Sequence, residues 1–328
     1  MHRSHVYRAL GAAVLTVALA ACGSSSSSSS KSAPATTTAA APAATTTTAS
    51  TGPLPGVGKP PVTIGDKNFT EEYILGDLYT QALLAQGYKV TLKANIGTTE
   101  ITYKALQSGQ IDMYPEYDGT LLSAVGGYEK VPSSAAQTYT LTQAFVKKHG
   151  FELLNPTPFY DTDALAVTKQ FATAHHLVTI SDLKKLGHSL TLGAAPEFAT
   201  RFNGLIGLKK LYGINPTFKP LAIGITYKAI DDGEVDTFDA FSTDAQLTTG
   251  KYILLTDPKH VFGYQYVTPV VKQSVVAAEG PAFTSTINKV SALLTLPAIQ
   301  KMNAAVALDQ QSPATVAAEF LKANGLVK

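Results

Sequence analysis

One stretch of this chain occurs twice, and it constrains the fold more than anything else in the sequence. Ile101–Thr120 reads ITYKALQSGQIDMYPEYDGT, and Ile225–Asp244 reads ITYKAIDDGEVDTFDAFSTD. Ile-Thr-Tyr-Lys-Ala coincides, then Gly109 with Gly233, Asp112 with Asp236, and Tyr117 with Phe241. The shared register extends upstream, where VTIGDKNFTEE (Val62–Glu72) resembles LTLGAAPEFAT (Leu190–Thr200). Each is a short apolar run, a Gly and a polar-aromatic turn. The chain therefore holds two similar α/β units, each with one copy of a helix–strand–loop element. Two such units facing each other make a cleft, and the loops after the strands are placed to line it.

The N-terminus reads as an export signal. Arg3 and Arg8 precede an uncharged run, Ala9–Ala21, which is shorter than the roughly 20 residues that span a bilayer. The sequence Leu19-Ala20-Ala21-Cys22 resembles the bacterial lipobox, in which the cysteine is lipidated after cleavage. Cys22 is the single cysteine of the 328 residues, so intrachain disulfides and cysteine metal clusters are excluded. Residues 23–58 are almost entirely Ser, Ala, Thr, Pro and Gly. Such a composition buries too little apolar surface to offset chain entropy and predicts a disordered tether. About 35 flexible residues span roughly 30–35 Å on average. The expected organisation is a signal peptide (1–21), a lipidated Cys22 with its tether (22–59), and an extracytoplasmic body anchored at the outer face of the membrane.

Without Arg3 and Arg8, the 26 basic residues fall to 24, equal to the 24 acidic ones. A near-neutral body argues against a nucleic-acid partner, which would require a basic excess. Within the body, strands alternate with helices. Val62–Gly65 is a strand, and Thr70 is placed to cap a helix that runs to about Gln86. Glu71 and Glu72 sit in its first turn, where the helix dipole favours them. Gly87, Gly109 and Gly150 mark ends of helices. Ser181 reads as another cap, and a helix is expected over Leu205–Tyr212. Alternation of this kind predicts a parallel or mixed sheet covered on both faces. The chain is expected to cross between lobes near Pro156–Asp163 and to return through Tyr264–Val271. Residues 281–325 would then pack back on the first lobe. The predicted division is 60–162 plus 268–328 for lobe 1 and 163–267 for lobe 2.

In open α/β sheets, ligands sit beyond the carboxyl ends of the strands. Lys67 and Arg201 follow corresponding strands of the two units and are placed to clamp an anionic group, with solvated surface charges as the plain alternative. Thr120, at a helix start, adds a hydroxyl and backbone donors. Tyr117 and Phe241 match in the repeat, and their faces suit a cation or an apolar ring, unless both belong to the core. Asp161 and Asp163 lie on the crossing segment, as polar groups of the site or as caps of a hinge. No nucleophile motif or phosphate loop is present, and His175-His176, His188 and His260 lack the spacing of a metal site. No cofactor and no catalytic chemistry are expected.

IGDKNFTEEYILGDLYTQALLAQGYKV, then GTTEITYKALQSGQIDMYPEYDGT, EFATRFNGLIGLKKLYG and the second ITYKAI, strongly resemble the glycine betaine/carnitine/choline solute-binding proteins of osmoprotectant ABC importers. The resemblance covers essentially all of 60–328. It implies an α/β, type II periplasmic-binding-protein fold, with two lobes joined by a two-stranded hinge. It also implies capture of a small-molecule ligand by closure of the lobes, and delivery to a membrane permease with its ATPase. Members commonly hold a quaternary ammonium in a cage of tyrosines and a carboxylate on basic and hydroxyl groups. By motif, Tyr117 is one cage tyrosine, and Lys67, Thr120 and Arg201 are the carboxylate groups. Three positions depart from tyrosine: Asp163 in Thr162-Asp163-Ala164-Leu165, Phe241 in Phe241-Ser242-Thr243-Asp244, and Gln265 after Gly263-Tyr264, where the loop also offers Tyr264 or Tyr266. These changes point to a zwitterion or polar cation that need not be betaine. An amino-acid-like or aromatic ligand on the same fold is the alternative, and a secreted enzyme using Glu116, Asp161 or Asp163 is the reading from another class.

Overall fold

The computed structural model describes residues 52–328. The expected signal peptide, Cys22 and most of the tether lie outside the described residues. The last part of the expected tether is structured: Gly56 donates its N–H to the Gln86 carbonyl at 2.9 Å, and Val57 donates to Leu54 at 3.0 Å. This turn rests on the C-terminal end of the first helix.

Ten strands form two five-stranded sheets. The first holds β1 (Pro61–Gly65), β2 (Lys89–Lys93), β3 (Met113–Tyr114), β4 (Phe151–Leu153) and, from the far end of the chain, β10 (Val270–Lys272), in the order β2-β1-β3-β10-β4. The second holds β5 (Asp163–Thr168), β6 (Thr191–Ala194), β7 (Thr217–Pro220), β8 (Thr237–Phe241) and β9 (Tyr252–Leu254), in the order β7-β6-β8-β5-β9. The two orders are equivalent. In each, a strand pairs in parallel with both neighbours from its own repeat, β1 with β2 and β3, and β6 with β7 and β8. In each, the strand next to the repeat's last strand is antiparallel and comes from outside the repeat, β10 beside β3 and β5 beside β8.

The conserved spacing within the duplicated stretch has a structural cause. Asp112 accepts the Thr63 N–H at 2.8 Å, and Asp236 accepts the Thr191 N–H at 2.7 Å. Each carboxylate ties the end of the repeat helix's strand to the neighbouring strand. Gly109 and Gly233 both have left-handed backbones, with φ of 80° and 73°, so each ends its helix without the penalty a Cβ would bring.

The helices are α1 (Thr70–Ala85), α2 (Thr99–Gln107), α3 (Asp118–Ala124), α4 (Ala135–Lys148), α5 (Lys169–His175), α6 (Thr226–Asp231), α7 (Gln273–Glu279), α8 (Pro281–Leu293), α9 (Leu296–Ala307) and α10 (Pro313–Ala323). α8, α9 and α10 pack against α1. Their apolar faces, with Phe283, Ile287, Ile299 and Leu321, join Ile74, Leu75, Leu78 and Leu83 in one core. A separate core around Leu165, Leu192, Leu208 and Tyr212 fills the second unit.

Three local expectations change. Thr70 is the first helical residue rather than the cap, and Phe69 occupies the cap position with no side-chain hydrogen bond. Glu71 and Glu72 do occupy the first turn, as expected, and are buried there as partners of other side chains. Ser181 is not a cap, because Thr179 and Asp182 form a capping box around the start of a 3-10 segment. The stretch expected as a regular helix over Leu205–Tyr212 forms wider π turns, broken at Asn203 and Gly204. A Cβ on Gly204 would lie 2.3 Å from the Phe198 carbonyl oxygen, so the break requires glycine there.

Two extended segments join the lobes and run antiparallel. Thr157 donates to the Val267 carbonyl at 2.9 Å and Asp161 to the Gln265 carbonyl at 3.0 Å. Tyr160 bridges to Tyr266, and Tyr117 bridges to Val267. A two-stranded hinge lets both lobes rotate while each keeps its own core.

Candidate functional site

The cleft lies between the carboxyl ends of β1 and β3 on one side and of β6 and β8 on the other. All seven residues singled out in the sequence line it: Lys67, Tyr117, Thr120, Asp163, Arg201, Phe241 and Gln265. They come from both lobes and from the return crossing. Their roles in the folded chain are more specific than their positions suggested.

Lys67 is neither a surface charge nor, in this conformation, a free clamp. It is 3% exposed. Its ammonium lies 2.5 Å from Glu116 and 3.7 Å from Glu72, and 4.3 Å from the centre of the Tyr117 ring. Glu116 also accepts the Tyr114 hydroxyl at 2.9 Å and the Tyr117 N–H at 2.7 Å. The buried charge is thus compensated by the loop that carries the aromatic ring. Arg201 makes a bidentate pair across the cleft, with Nε 2.9 Å and a terminal nitrogen 2.8 Å from the two oxygens of Glu100. Burial would raise the Glu100 pKa, but Arg201 outweighs it and holds the carboxyl down to about 2.

Asp163 anchors a polar network where the lobes meet. It accepts from the Gln265 amide at 3.1 Å and from the Asn203 amide at 3.3 Å. Asn203 also lies 3.3 Å from the Thr120 hydroxyl, which in turn donates to the Gln265 carbonyl oxygen. Burial raises the Asp163 pKa, while Arg201 and these hydrogen bonds oppose it. Gln265, where the resemblance would place tyrosine, therefore joins the two lobes through amide hydrogen bonds. Tyr264 stacks on His260, and Tyr266 packs on Tyr160, so neither replaces it in the cleft.

The aromatic lining repeats the duplication. Tyr117 and Phe241 are one matched pair, whereas Phe69 and Phe198 come from the corresponding turns but one position apart in the shared register, where Phe69 aligns with Glu197. Phe69 stacks on Phe241 at 5.7 Å with an interplanar angle of 6°, and meets Tyr117 at 6.0 Å. The Tyr117 hydroxyl donates to Glu71 at 2.7 Å. Phe69 and Phe198 lie in the turns that the two units share, and an aromatic residue in each turn is the signal that finds them. Asn203 lies in EFATRFNGLIGLKKLYG, where no pattern marks it.

Asp161 and Asp239 complete the lining. Asp161 accepts from the Thr243 N–H and the Ser242 hydroxyl, each at 3.1 Å, so it does cap the neighbouring loop as well as face the cleft. Burial pushes both carboxyls well above the usual range, and neighbouring carboxylates add to the shift: chiefly Glu71 for Asp161 and Asp163 for Asp239. The cleft thus combines buried carboxyls and aromatic faces with two cations already engaged by Glu116 and Glu100. Among the described residues, no group of three or more His, Cys, Asp or Glu is disposed to hold a metal ion.

Comparison with known proteins places the chain in a family. The chain is 31% identical to a glycine-betaine-binding protein of Pseudomonas aeruginosa, covering 80% of this chain and 88% of that one. It is 27% identical to the carnitine transport binding protein OpuCC of Listeria monocytogenes, covering 83% and 90%. A solved structure described as a glycine betaine/carnitine/choline ABC transporter superposes with a TM-score of 0.65 at 29% identity, over 81% of this chain and 99% of that one. The fold is that of the type II periplasmic binding proteins. Residues 60–323 match the model of the substrate binding domain of ABC-type glycine betaine transport systems, and the chain belongs to that family of transport solute-binding proteins, which is not a family of enzymes.

Proposed function

We propose that this protein is the extracytoplasmic receptor of an ABC importer and captures a small cationic or zwitterionic solute by closure of its lobes. The observation that supports this most is the cleft itself. Four aromatic rings, the repeat-equivalent Tyr117 and Phe241 with Phe69 and Phe198 from the two corresponding turns, share one cavity with Asp161, Asp163 and Asp239. Aromatic faces and carboxylates attract an ammonium group by the ring quadrupole and by charge. Relatives that bind glycine betaine and carnitine make those solutes, with choline, the first candidates.

In this reading, lobe 1 is 60–162 plus 268–328 and lobe 2 is 163–267. Lys67, Thr120 and Arg201 would receive a ligand carboxylate only by exchanging it for Glu116, Gln265 or Glu100. A ligand without a carboxylate needs no such exchange, so the ion pairs favour a cation over a zwitterion. The permease and its ATPase are the expected partners. Cys22 is proposed to carry the lipid anchor; among the described residues, no helix is long and apolar enough to cross a membrane.

Titration calorimetry with glycine betaine, choline, carnitine, proline betaine and common amino acids tests the assignment. Binding of an ammonium compound at micromolar or lower concentration, weakened tenfold or more by Asp163→Ala, is the expected result. Tight betaine binding indifferent to that substitution would sink the role given to Asp163. The alternative of an aromatic ligand slotted between Tyr117 and Phe241 is disfavoured, because Phe69 already packs on both rings.

A further inference from the structure

The cleft does not end at the aromatic rings. Beside the Phe69–Phe241 stack it continues into a second compartment, of about 220 Å³ against about 50 Å³ for the first. Asp161 and Asp239 line both compartments, whereas Glu71, Asp244, Thr243 and Asn303 line only the second.

Most polar groups around the second compartment are satisfied within the protein. Glu71 accepts from the Tyr117 hydroxyl at 2.7 Å, the Thr243 hydroxyl at 2.7 Å and the Asn303 amide at 2.8 Å. Asp244 accepts from the Tyr227 hydroxyl at 2.8 Å and the Phe241 N–H at 2.9 Å. Two acceptors stand apart. Asp239 is 7% exposed, and its buried Oδ1 has no hydrogen-bond partner. Asn303 is 6% exposed, and its Oδ1 is likewise unpartnered. Its orientation is fixed, because the amide nitrogen must face the Glu71 carboxylate and the Thr243 carbonyl. Buried acceptors without donors are costly; burial holds a proton on Asp239 when no cation is near, and a bound group that brings both charge and N–H donors would take that proton's place.

A quaternary ammonium has no N–H and would leave both acceptors unpartnered. A protonated amine or a guanidinium carries donors and positive charge together, and matches a carboxylate by charge-assisted hydrogen bonds. We propose that Asp239, Asp161 and Asn303 form a second cation subsite beside the Phe69–Phe241 stack, and that the solute is an elongated one with a protonated amine or guanidinium at its far end. The inference rests on the import-receptor reading and narrows its ligand class. In the bound state the first compartment holds one end of the solute against Tyr117 and Asp163. The chain of the solute passes the edge of the stack, and its far end donates to Asp239 and Asn303.

The test compares choline, a single quaternary cation, with agmatine, which carries an amine at one end and a guanidinium at the other. Both are titrated calorimetrically into wild-type protein and into Asp239→Asn. The asparagine keeps the shape and removes like-charge repulsion, so the variant is expected to melt no lower than wild type. Agmatine is expected to bind at least tenfold more tightly than choline, and Asp239→Asn to cut that preference tenfold or more. Asp161→Asn, which still accepts from Thr243 and Ser242, should shift the preference in the same direction. Choline binding with no advantage for agmatine, or a preference unaltered by both variants, overturns the second subsite alone. Binding of neither compound, with glycine betaine also silent, overturns the subsite together with the ligand reading beneath it.

Discussion

Arg201 of one lobe grips Glu100 of the other through two hydrogen bonds of 2.9 and 2.8 Å, and this pair closes the rim of the cleft. Glu100 lies at the start of the first repeat helix, and Arg201 on the loop after β6. A bidentate pair holds direction as well as distance. It therefore works as a latch between the two lobes.

Opening the latch should change shape and affinity together. Hydrogen bonds to charged groups contribute on the order of 1.5–3 kcal/mol, equivalent to about tenfold or more in a two-state equilibrium. Glu100→Gln is expected to enlarge the radius of gyration of the free protein in small-angle scattering and to weaken ligand binding about tenfold. Because the Glu100 pKa is lowered to about 2, its contribution is complete above the ordinary carboxylate range and is lost only as pH falls toward 2. Closure should thus be insensitive to pH between 5 and 8 on account of this pair.

Lys67 makes a different prediction, because it is buried with its partners. Removing one member of a buried ion pair costs about 3–5 kcal/mol, since the other charge is left uncompensated. Lys67→Met leaves Glu116 and Glu72 without their cation and should lower the denaturant midpoint sharply. The double variant Lys67→Met/Glu116→Gln should recover part of the loss. Additive losses in the double-mutant cycle would contradict the pairing.

Gly119 sits where the first lobe touches the return crossing. A Cβ there would lie 2.3 Å from the Tyr264 carbonyl oxygen. Gly119→Ala must push α3 away from the hinge, and with it the contact of Thr120 with Gln265. A loss of about 1–3 kcal/mol in stability is expected from such overpacking, along with weaker ligand binding. Chemical denaturation and calorimetry measure the two effects separately.

Stability should fall as pH rises through neutrality. Burial lifts the Asp118 carboxyl to about 7, although the Tyr266 and Gly119 N–H groups bind one of its oxygens. Burial likewise lifts Asp66 to about 7. In each, the second oxygen is buried without a partner, where a proton is favoured. The folded state then holds protons that the unfolded state has released above pH about 4, so unfolding free energy decreases with pH between about 4 and 7. The thermal midpoint should be higher at pH 5.5 than at pH 8. Asp118→Asn should flatten that dependence.

The duplication was readable because equal constraints leave equal residues. Asp112 and Asp236 tie the same strand pairs, and Gly109 and Gly233 end the same helices in left-handed conformations. The strand–helix alternation and the hinge crossings followed from short apolar runs and punctuating glycines. The caps lie elsewhere than at Thr70 and Ser181: Phe69 holds the first position without a side-chain hydrogen bond, and the local Thr179–Asp182 capping box starts the second segment. The π turns around Asn203 carry its amide to Thr120 of the opposite lobe, a contact that no local pattern encodes.

Two α/β units, a cleft between them and the seven residues that line it are legible in the chain alone, because position after a strand is a local property that repeats with the fold. What each of those residues does is set by its partners in space. Whether Lys67 and Arg201 are free depends on Glu116 and Glu100, which are distant in sequence and adjacent in space. That Asp239 is buried without a donor is a property of everything packed around it. Hydrogen-bond satisfaction and burial are sums over the whole fold, so they become visible only when the two lobes are in contact.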